Sequence, residues 1–182
     1  MRSKYTSLQI TLHWLVFLLV IVAYTAMELR SEFPRSIRHI VVAVHFSCGI
    51  AIFLLMATRL ALRIKYAAPP ITPRPHPLFI GLSHLVHLLI YLIYLALPLL
   101  GVTMKYYGGS EWVAFGITMP VAAEPDEDFA DTLADYHQLI ARLGYLVLAL
   151  HAAAALFHHY VWKDNTLLRM MPGKRTGVYP RL

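Results

Sequence analysis

The chain has 182 residues, 58% of them hydrophobic and 14% charged, with a mean hydropathy of +0.57. A soluble domain averages about 25% charged and about 45–50% apolar residues, so this composition sets aside an ordinary soluble domain in favour of a membrane protein. The net charge of +6 sits between long apolar runs rather than on a polar face, which argues against nucleic acid and for a membrane surface.

A helix needs about 20 apolar residues to cross about 30 Å of hydrocarbon. The first candidate span runs from Leu8 to Met27. Arg2 and Lys4 precede it, as in a signal peptide. The run is too long for a typical h-region and no small-x-small cleavage site follows it, so a retained helix is expected. The segment Glu28-Leu-Arg-Ser-Glu-Phe-Pro-Arg-Ser36 leads to the second span, Ile37 to Leu62. That span holds Cys48, the chain's one cysteine. It leaves no intrachain disulfide and no cysteine metal site, and is expected to be a small core residue. Next comes Ala67-Ala-Pro-Pro-Ile-Thr-Pro-Arg-Pro-His-Pro77. Its prolines forbid helix and predict a stiff, extended strap. The third span runs from Leu78 to Met104. Lys105 to Asp135 is the longest connection, with a short surface helix expected around Trp112 to Phe115. The fourth span runs from Tyr136 to Trp162. The expected fold class is an all-α membrane protein: a four-transmembrane-helix bundle, residues 1–182 forming one domain without internal repeats.

Loop charges predict the orientation. The N-terminus, the strap and the C-terminal tail share one side, which carries Arg2, Lys4, Arg59, Arg63, Lys65, Arg74, Lys163, Arg169, Lys174, Arg175 and Arg181. Its only acid is Asp164. The other side has Arg30, Arg35, Arg38 and Lys105 with the remaining acids. The Lys/Arg bias places both termini in the cytoplasm. In a Gram-negative host the acidic third connection then faces the periplasm.

Ionisable residues are rare at membrane depth, and each is a functional hypothesis. This chain places His13, His45, His84, His87, His137, His151, His158 and His159 there. Hydrogen bonds between helices or interface positions account for any one of them better than for all at once. On the fourth span His137, Gly144, His151 and His158 recur every seven residues. Seven residues are nearly two turns, so all four share one stripe. His137 and His151 are separated by about 21 Å of rise, one per leaflet. Gly144, midway, lets a bulky flat group approach the backbone. Matching depths pair His45 with His137 on the periplasmic side and His13 with His151 on the cytoplasmic side, the second pair needing helix tilt. Two separated imidazole pairs suit haem iron bound from both faces. They suit zinc poorly, since zinc wants four clustered ligands or three plus water.

The segments Leu8-Gln-Ile-Thr-Leu-His-Trp-Leu-Val-Phe17, Val44-His-Phe-Ser-Cys-Gly49 and Asp135-Tyr-His-Gln138 resemble the bacterial di-haem cytochrome b561 family. So do Gly144 to Tyr160 and Trp162-Lys-Asp-Asn-Thr-Leu-Leu-Arg-Met-Met-Pro172. The resemblance covers nearly the whole chain except the acidic third connection. It is nearest to the small quinone-linked branch that oxidises superoxide. It implies two haem b groups, with His13, His45, His137 and His151 as iron ligands. It also implies ubiquinone as electron acceptor, superoxide as a small anionic donor, and a multi-pass bacterial inner-membrane location.

The resemblance implies a quinone pocket on the cytoplasmic side. A quinone head group needs hydrogen-bond donors at its carbonyls, and His158, His87 and Arg74 are the candidates. His87 has the alternative of supporting a haem ligand. His87, Tyr91, Tyr94, Pro98, Gly101 and Lys105 form one stripe expected to face the bundle. Arg59 lies on the His45 face and pairs with a haem propionate or anchors the span. Arg142 is expected to meet a propionate of the periplasmic haem. Arg30, Arg35, Arg38 and Lys105 either focus an anion towards the outer haem or meet lipid head groups. His39, His84 and His159 are expected at the interfaces, and Trp14, Trp112 and Trp162 in the aromatic belts. Met170 and Met171 lie outside the membrane and are not expected to ligate haem. The leading expectation is a superoxide:quinone oxidoreductase with no obligate protein partner. The alternative is a haem b anchor subunit relaying electrons between a hydrogenase or dehydrogenase and quinone. A third reading, a histidine-relay transporter, predicts no haem spectrum.

Overall fold

The structure is a computed structural model describing residues 3–173. Arg2, Lys174, Arg175 and Arg181, counted in the orientation argument, lie outside the described residues. Four helices are long and apolar enough to cross a membrane: α1 (Ser7–Glu28), α2 (Arg38–Lys65), α3 (Pro77–Tyr107) and α4 (Glu127–Tyr160). A short 3-10 turn, Arg30–Glu32, follows α1. A two-stranded antiparallel hairpin, β1 (Trp112–Ala114) and β2 (Ile117–Met119), joins α3 to α4.

Local chemistry sets where the helices begin. Thr6 caps α1 through a capping box: its hydroxyl accepts from the Gln9 N–H at 3.2 Å, and Gln9 Oε1 accepts from the Thr6 N–H at 3.2 Å. The strap is non-helical, bends at Thr72 and Pro73, and ends with His76 as N-cap and Pro77 at the first helical position of α3. Asp126 caps α4, accepting from the Phe129 N–H at 2.9 Å. Glu127 and Asp128 then fill its first turn, where acids favour the helix dipole. This polar start lies before the apolar run, so α4 begins at Glu127 rather than at Tyr136. A hydropathy reading sees only the apolar part of such a helix.

The surface helix expected around Trp112 to Phe115 is not there. Phe115 (φ 52°) and Gly116 (φ 76°) both take positive φ, as the two-residue turn of a tight hairpin requires. The chain therefore reverses at once. Trp112 packs edge-on against Phe46 of α2, ring centroids 5.3 Å apart. The Phe115 N–H donates to the Ser47 hydroxyl at 2.8 Å.

The buried core is built from α1 (Val16, Val20, Ala23), α2 (Cys48, Ile52, Met56) and α3 (Ile93, Tyr94, Leu97). Close backbone packing links α1 to α2, α2 to α3 and α3 to α4. The α4 helix contributes only Ala130 and Gly144 as fully buried residues. Tyr24 of α1 reaches α4, its hydroxyl donating to the Ala141 carbonyl, and a cavity lies among the four helices. Leu18, Leu54, Leu88 and Leu150 are all more than half exposed, an outward apolar face suited to lipid.

Both described chain ends lie at one end of the bundle. The Tyr5 N–H donates to the Arg169 carbonyl and Trp14 Nε1 to the Met170 carbonyl, at 3.2 and 2.9 Å. The tail also grips the strap. The Thr72 N–H donates to Asn165 Oδ1 at 2.9 Å, and Arg169 Nη1 donates to the Pro69 carbonyl. The hairpin marks the opposite end.

Candidate functional site

The four expected iron ligands come together as two pairs. The rings of His45 and His137 have centroids 6.2 Å apart, and so do those of His13 and His151. The first pair is at the hairpin end and the second is nearer the chain ends. His13 and His151 meet although their positions along the sequence differ in depth.

Neighbouring groups brace three of the four rings. His45 Nδ1 lies 2.9 Å from the Ala23 carbonyl. As the Nδ1–H tautomer it donates there and leaves Nε2 towards the interior. His137 turns its Nδ1 edge onto α3, where a Cβ added at Gly101 would lie 3.3 Å from its Cε1. His151 is packed by His87, ring centroids 5.3 Å apart. His87 is itself held by donating Nδ1–H to the Ser83 carbonyl at 2.5 Å.

The spacing of the pairs can be tested against a bis-imidazole metal centre. Metal–imidazole bonds run about 2.0 Å, and a ring nitrogen sits about 1.1 Å from its ring centroid, so two collinear ligands place their centroids roughly 6.2 Å apart. Both pairs meet that spacing without any shift. The His45–His137 pair lies on a cavity of about 530 Å³, within the usual range for cofactor pockets, about 300–1,000 Å³. Gly49, one turn after His45, lines it, and a Cβ there would meet nothing within 4 Å. Near the other pair, Arg59 buries Nε and Nη1 with no hydrogen-bond partner among the described residues. The guanidinium bonds Tyr91 and lies beside His13, His87 and His151; its unpaired Nε and Nη1 suit an acidic group carried by a cofactor. The residues present fit haem.

Other expectations are sorted by position. The α3 stripe faces inward: Tyr94, Pro98, Gly101 and Lys105 line the large cavity. Arg30 and Arg142 line it too. Arg38 is committed elsewhere, donating to the Phe33 and Ser31 carbonyls at 2.9 Å each. Arg35, His39 and His84 are exposed and His159 half-buried. The Tyr24 hydroxyl approaches Gly144 and donates to the Ala141 carbonyl at 3.0 Å.

The three quinone candidates do not form one cluster. His158 is near the end of α4, with Nδ1 2.5 Å from Asp164 Oδ2. Arg74 lines a second cavity of about 320 Å³ under the strap, with His76, Phe79, Trp162 and Asp164. His87 is deeper, against His151. Sequence reasoning counted Asp164 only as a charge and missed that it is buried against His158. Its signal was an acid alone on a basic side, just past a helix end.

Four spans that hold two facing imidazole pairs inside define a class, the membrane cytochromes. The comparisons with known proteins narrow it. A family model described as prokaryotic cytochrome b561 matches residues 4–173. The chain is 54% identical to a protein of Yersinia pestis named "Probable superoxide oxidase CybB", over 96% of this chain and 99% of that one. It is 38% identical to cytochrome b561 homolog 1 of Escherichia coli K12, over 95% and 99%. It is 34% identical to a cytochrome b562 of Cereibacter sphaeroides, over 92% and 94%. The chain belongs to the prokaryotic cytochrome b561 family, bacterial multi-pass membrane proteins of electron transport that bind haem b.

Proposed function

We propose that the protein is a di-haem superoxide:ubiquinone oxidoreductase of the bacterial inner membrane, with both termini cytoplasmic. The observation that carries this reading is the pair of facing imidazoles at each end of the bundle, both with ring centroids 6.2 Å apart. The Yersinia pestis relative's name adds the donor.

His45 and His137 hold one haem b towards the periplasm; His13 and His151 hold the other towards the cytoplasm. One-electron redox chemistry is what the haem iron supplies when bound. The Ala23 carbonyl orients His45, and Gly101 gives His137 room. His87 supports His151, and Arg59 pairs with a propionate. Arg30, Lys105 and Arg142, lining the outer cavity, draw the superoxide anion in. His158 and Arg74 serve the quinone at the end holding the chain termini. The reaction balances simply. Two superoxide anions each lose one electron and become dioxygen. One quinone gains two electrons and two protons and becomes quinol.

The test uses the purified chain in detergent. A reduced-minus-oxidised spectrum shows two b-type signals, superoxide reduces them, and added ubiquinone reoxidises them. A haem-loaded chain that superoxide does not reduce refutes the reading and points to a relay for a partner dehydrogenase.

A further inference from the structure

We infer that Asp164 is a positioning residue for proton uptake, holding His158 as the donor to the quinone and linking it to the cavity under the strap, which is the proton inlet. This inference rests on the quinone reading above.

Quinol formation takes two protons, and superoxide, an anion, brings none. They must enter from water near the quinone. The cavity under the strap offers such a route. Arg74, His76 and Asp164 line it, with Phe79 and Trp162 as its apolar walls. His158 does not line it. Asp164 lies between the two, touching the cavity on one side and His158 on the other.

The chain builds this placement deliberately. Lys163 takes a left-handed conformation (φ 54°) just past α4. The chain folds back, and the Asp164 N–H donates to the His158 carbonyl at 3.1 Å. That turn puts Asp164 Oδ2 2.5 Å from His158 Nδ1, while the Thr166 N–H donates to Asp164 Oδ1 at 2.8 Å. Asp164 is only 4% exposed. Trp162 closes the other side of His158, ring centroids 4.6 Å apart. With Nδ1 engaged, Nε2 is the nitrogen left for a ligand.

A buried carboxylate is an expensive way to brace a loop. An asparagine amide at the same place keeps one acceptor for the Thr166 N–H but turns a donor towards His158 Nδ1. The carboxylate differs in that it can take up and release a proton. Each transfer moves one proton from cavity water to Asp164, one from Asp164 to Nδ1, and one from Nε2 to a quinone oxygen. Two transfers complete the quinol; between them the imidazole turns over, so that the nitrogen that has given up its proton faces Asp164 and the protonated one faces the quinone. The titratable groups lining the same cavity are Arg74 and His76, both on the strap.

The test compares wild type, Asp164→Asn and Asp164→Glu, all haem-loaded and checked for thermal stability. Haem reduction by superoxide and the KM for ubiquinone stay within about two-fold in Asp164→Asn. Its kcat falls by roughly 10²-fold or more, the usual weight of a positioned proton donor, and its rate becomes strongly pH-dependent. Asp164→Glu recovers much of the rate. In wild-type proteoliposomes, a dye on the side of the chain ends reports the loss of two protons per quinol. An unimpaired kcat in Asp164→Asn overturns the inference, as does proton uptake from the opposite side. So does a variant in which stability, haem reduction and kcat fall together, which marks a structural brace. Wild type that reduces no quinone sinks the quinone reading itself; wild type that does, with Asp164→Asn unimpaired, sinks this inference alone.

Discussion

Gly144 sits between the two histidine levels on α4, and Gly144→Ala tests how tightly α1 and α4 are coupled there. A Cβ at this position would lie 2.5 Å from the Tyr24 hydroxyl and 3.4 Å from Ile93 Cγ2. The first distance is nearly an ångström inside ordinary contact, so the hydroxyl must withdraw. It then gives up its 3.0 Å bond to the Ala141 carbonyl. Stranding a part-buried donor costs about 1–3 kcal/mol. Replacing glycine by alanine within a helix returns about 0.8–1.0 kcal/mol. Gly144→Ala is therefore neutral to about 2 kcal/mol destabilising in the wild-type background. In a Tyr24→Phe background the hydroxyl is gone, and the same change stabilises by up to about 1 kcal/mol. The expected coupling is about 1–3 kcal/mol, measured by a double-mutant cycle of denaturant unfolding in detergent. Effects that add within about 0.5 kcal/mol refute the reasoning, because they mean that the Tyr24 hydroxyl does not occupy the space over Gly144.

Three further outcomes follow from the same geometry. His45→Ala and His137→Ala each remove the same one of two haem signals in redox difference spectra, and His13→Ala and His151→Ala each remove the other. Partners that delete different haems contradict the pairing. Arg59→Leu takes away a half-buried cation beside the His13–His151 pair and lowers the midpoint potential of the haem held there by on the order of 60 mV, the equivalent of tenfold for a one-electron couple. A spectroelectrochemical titration checks this, and an unchanged potential at full haem content rules out the propionate role. Arg30→Ser combined with Lys105→Ser slows haem reduction by superoxide in stopped flow and flattens its dependence on salt, while Arg35→Ser does neither. The same salt slope in all three proteins means that these cations do not steer the anion.

Much of this architecture follows from local composition. The four apolar runs had to become spans, because only a helix satisfies its own backbone in hydrocarbon. The heptad stripe on α4 had to put His137, Gly144, His151 and His158 on one side, because helix geometry is fixed within one segment. The prolines of the strap kept it out of helix for an equally local reason. The hairpin was within reach of the sequence too: a glycine inside Trp-Val-Ala-Phe-Gly-Ile-Thr-Met marks a tight turn between alternating apolar residues.

The tertiary structure decided what depends on two segments at once. Packing brought His13 against His151, and no periodicity within α1 or α4 contains that contact. Gly144 was legible as a place of close approach, but only the packing of α1 chose the Tyr24 hydroxyl to fill it. His87 and His158 look alike in sequence, yet one packs on His151 and the other on Asp164, because α3 enters from the strap while the tail folds back past α4. Asp164 read as a surface charge until the turn at Lys163 buried it. The stripe of histidines on α4 belongs to the sequence; the partner each one faces belongs to the fold, because partners come from other helices whose tilt and register are set by packing rather than by local pattern.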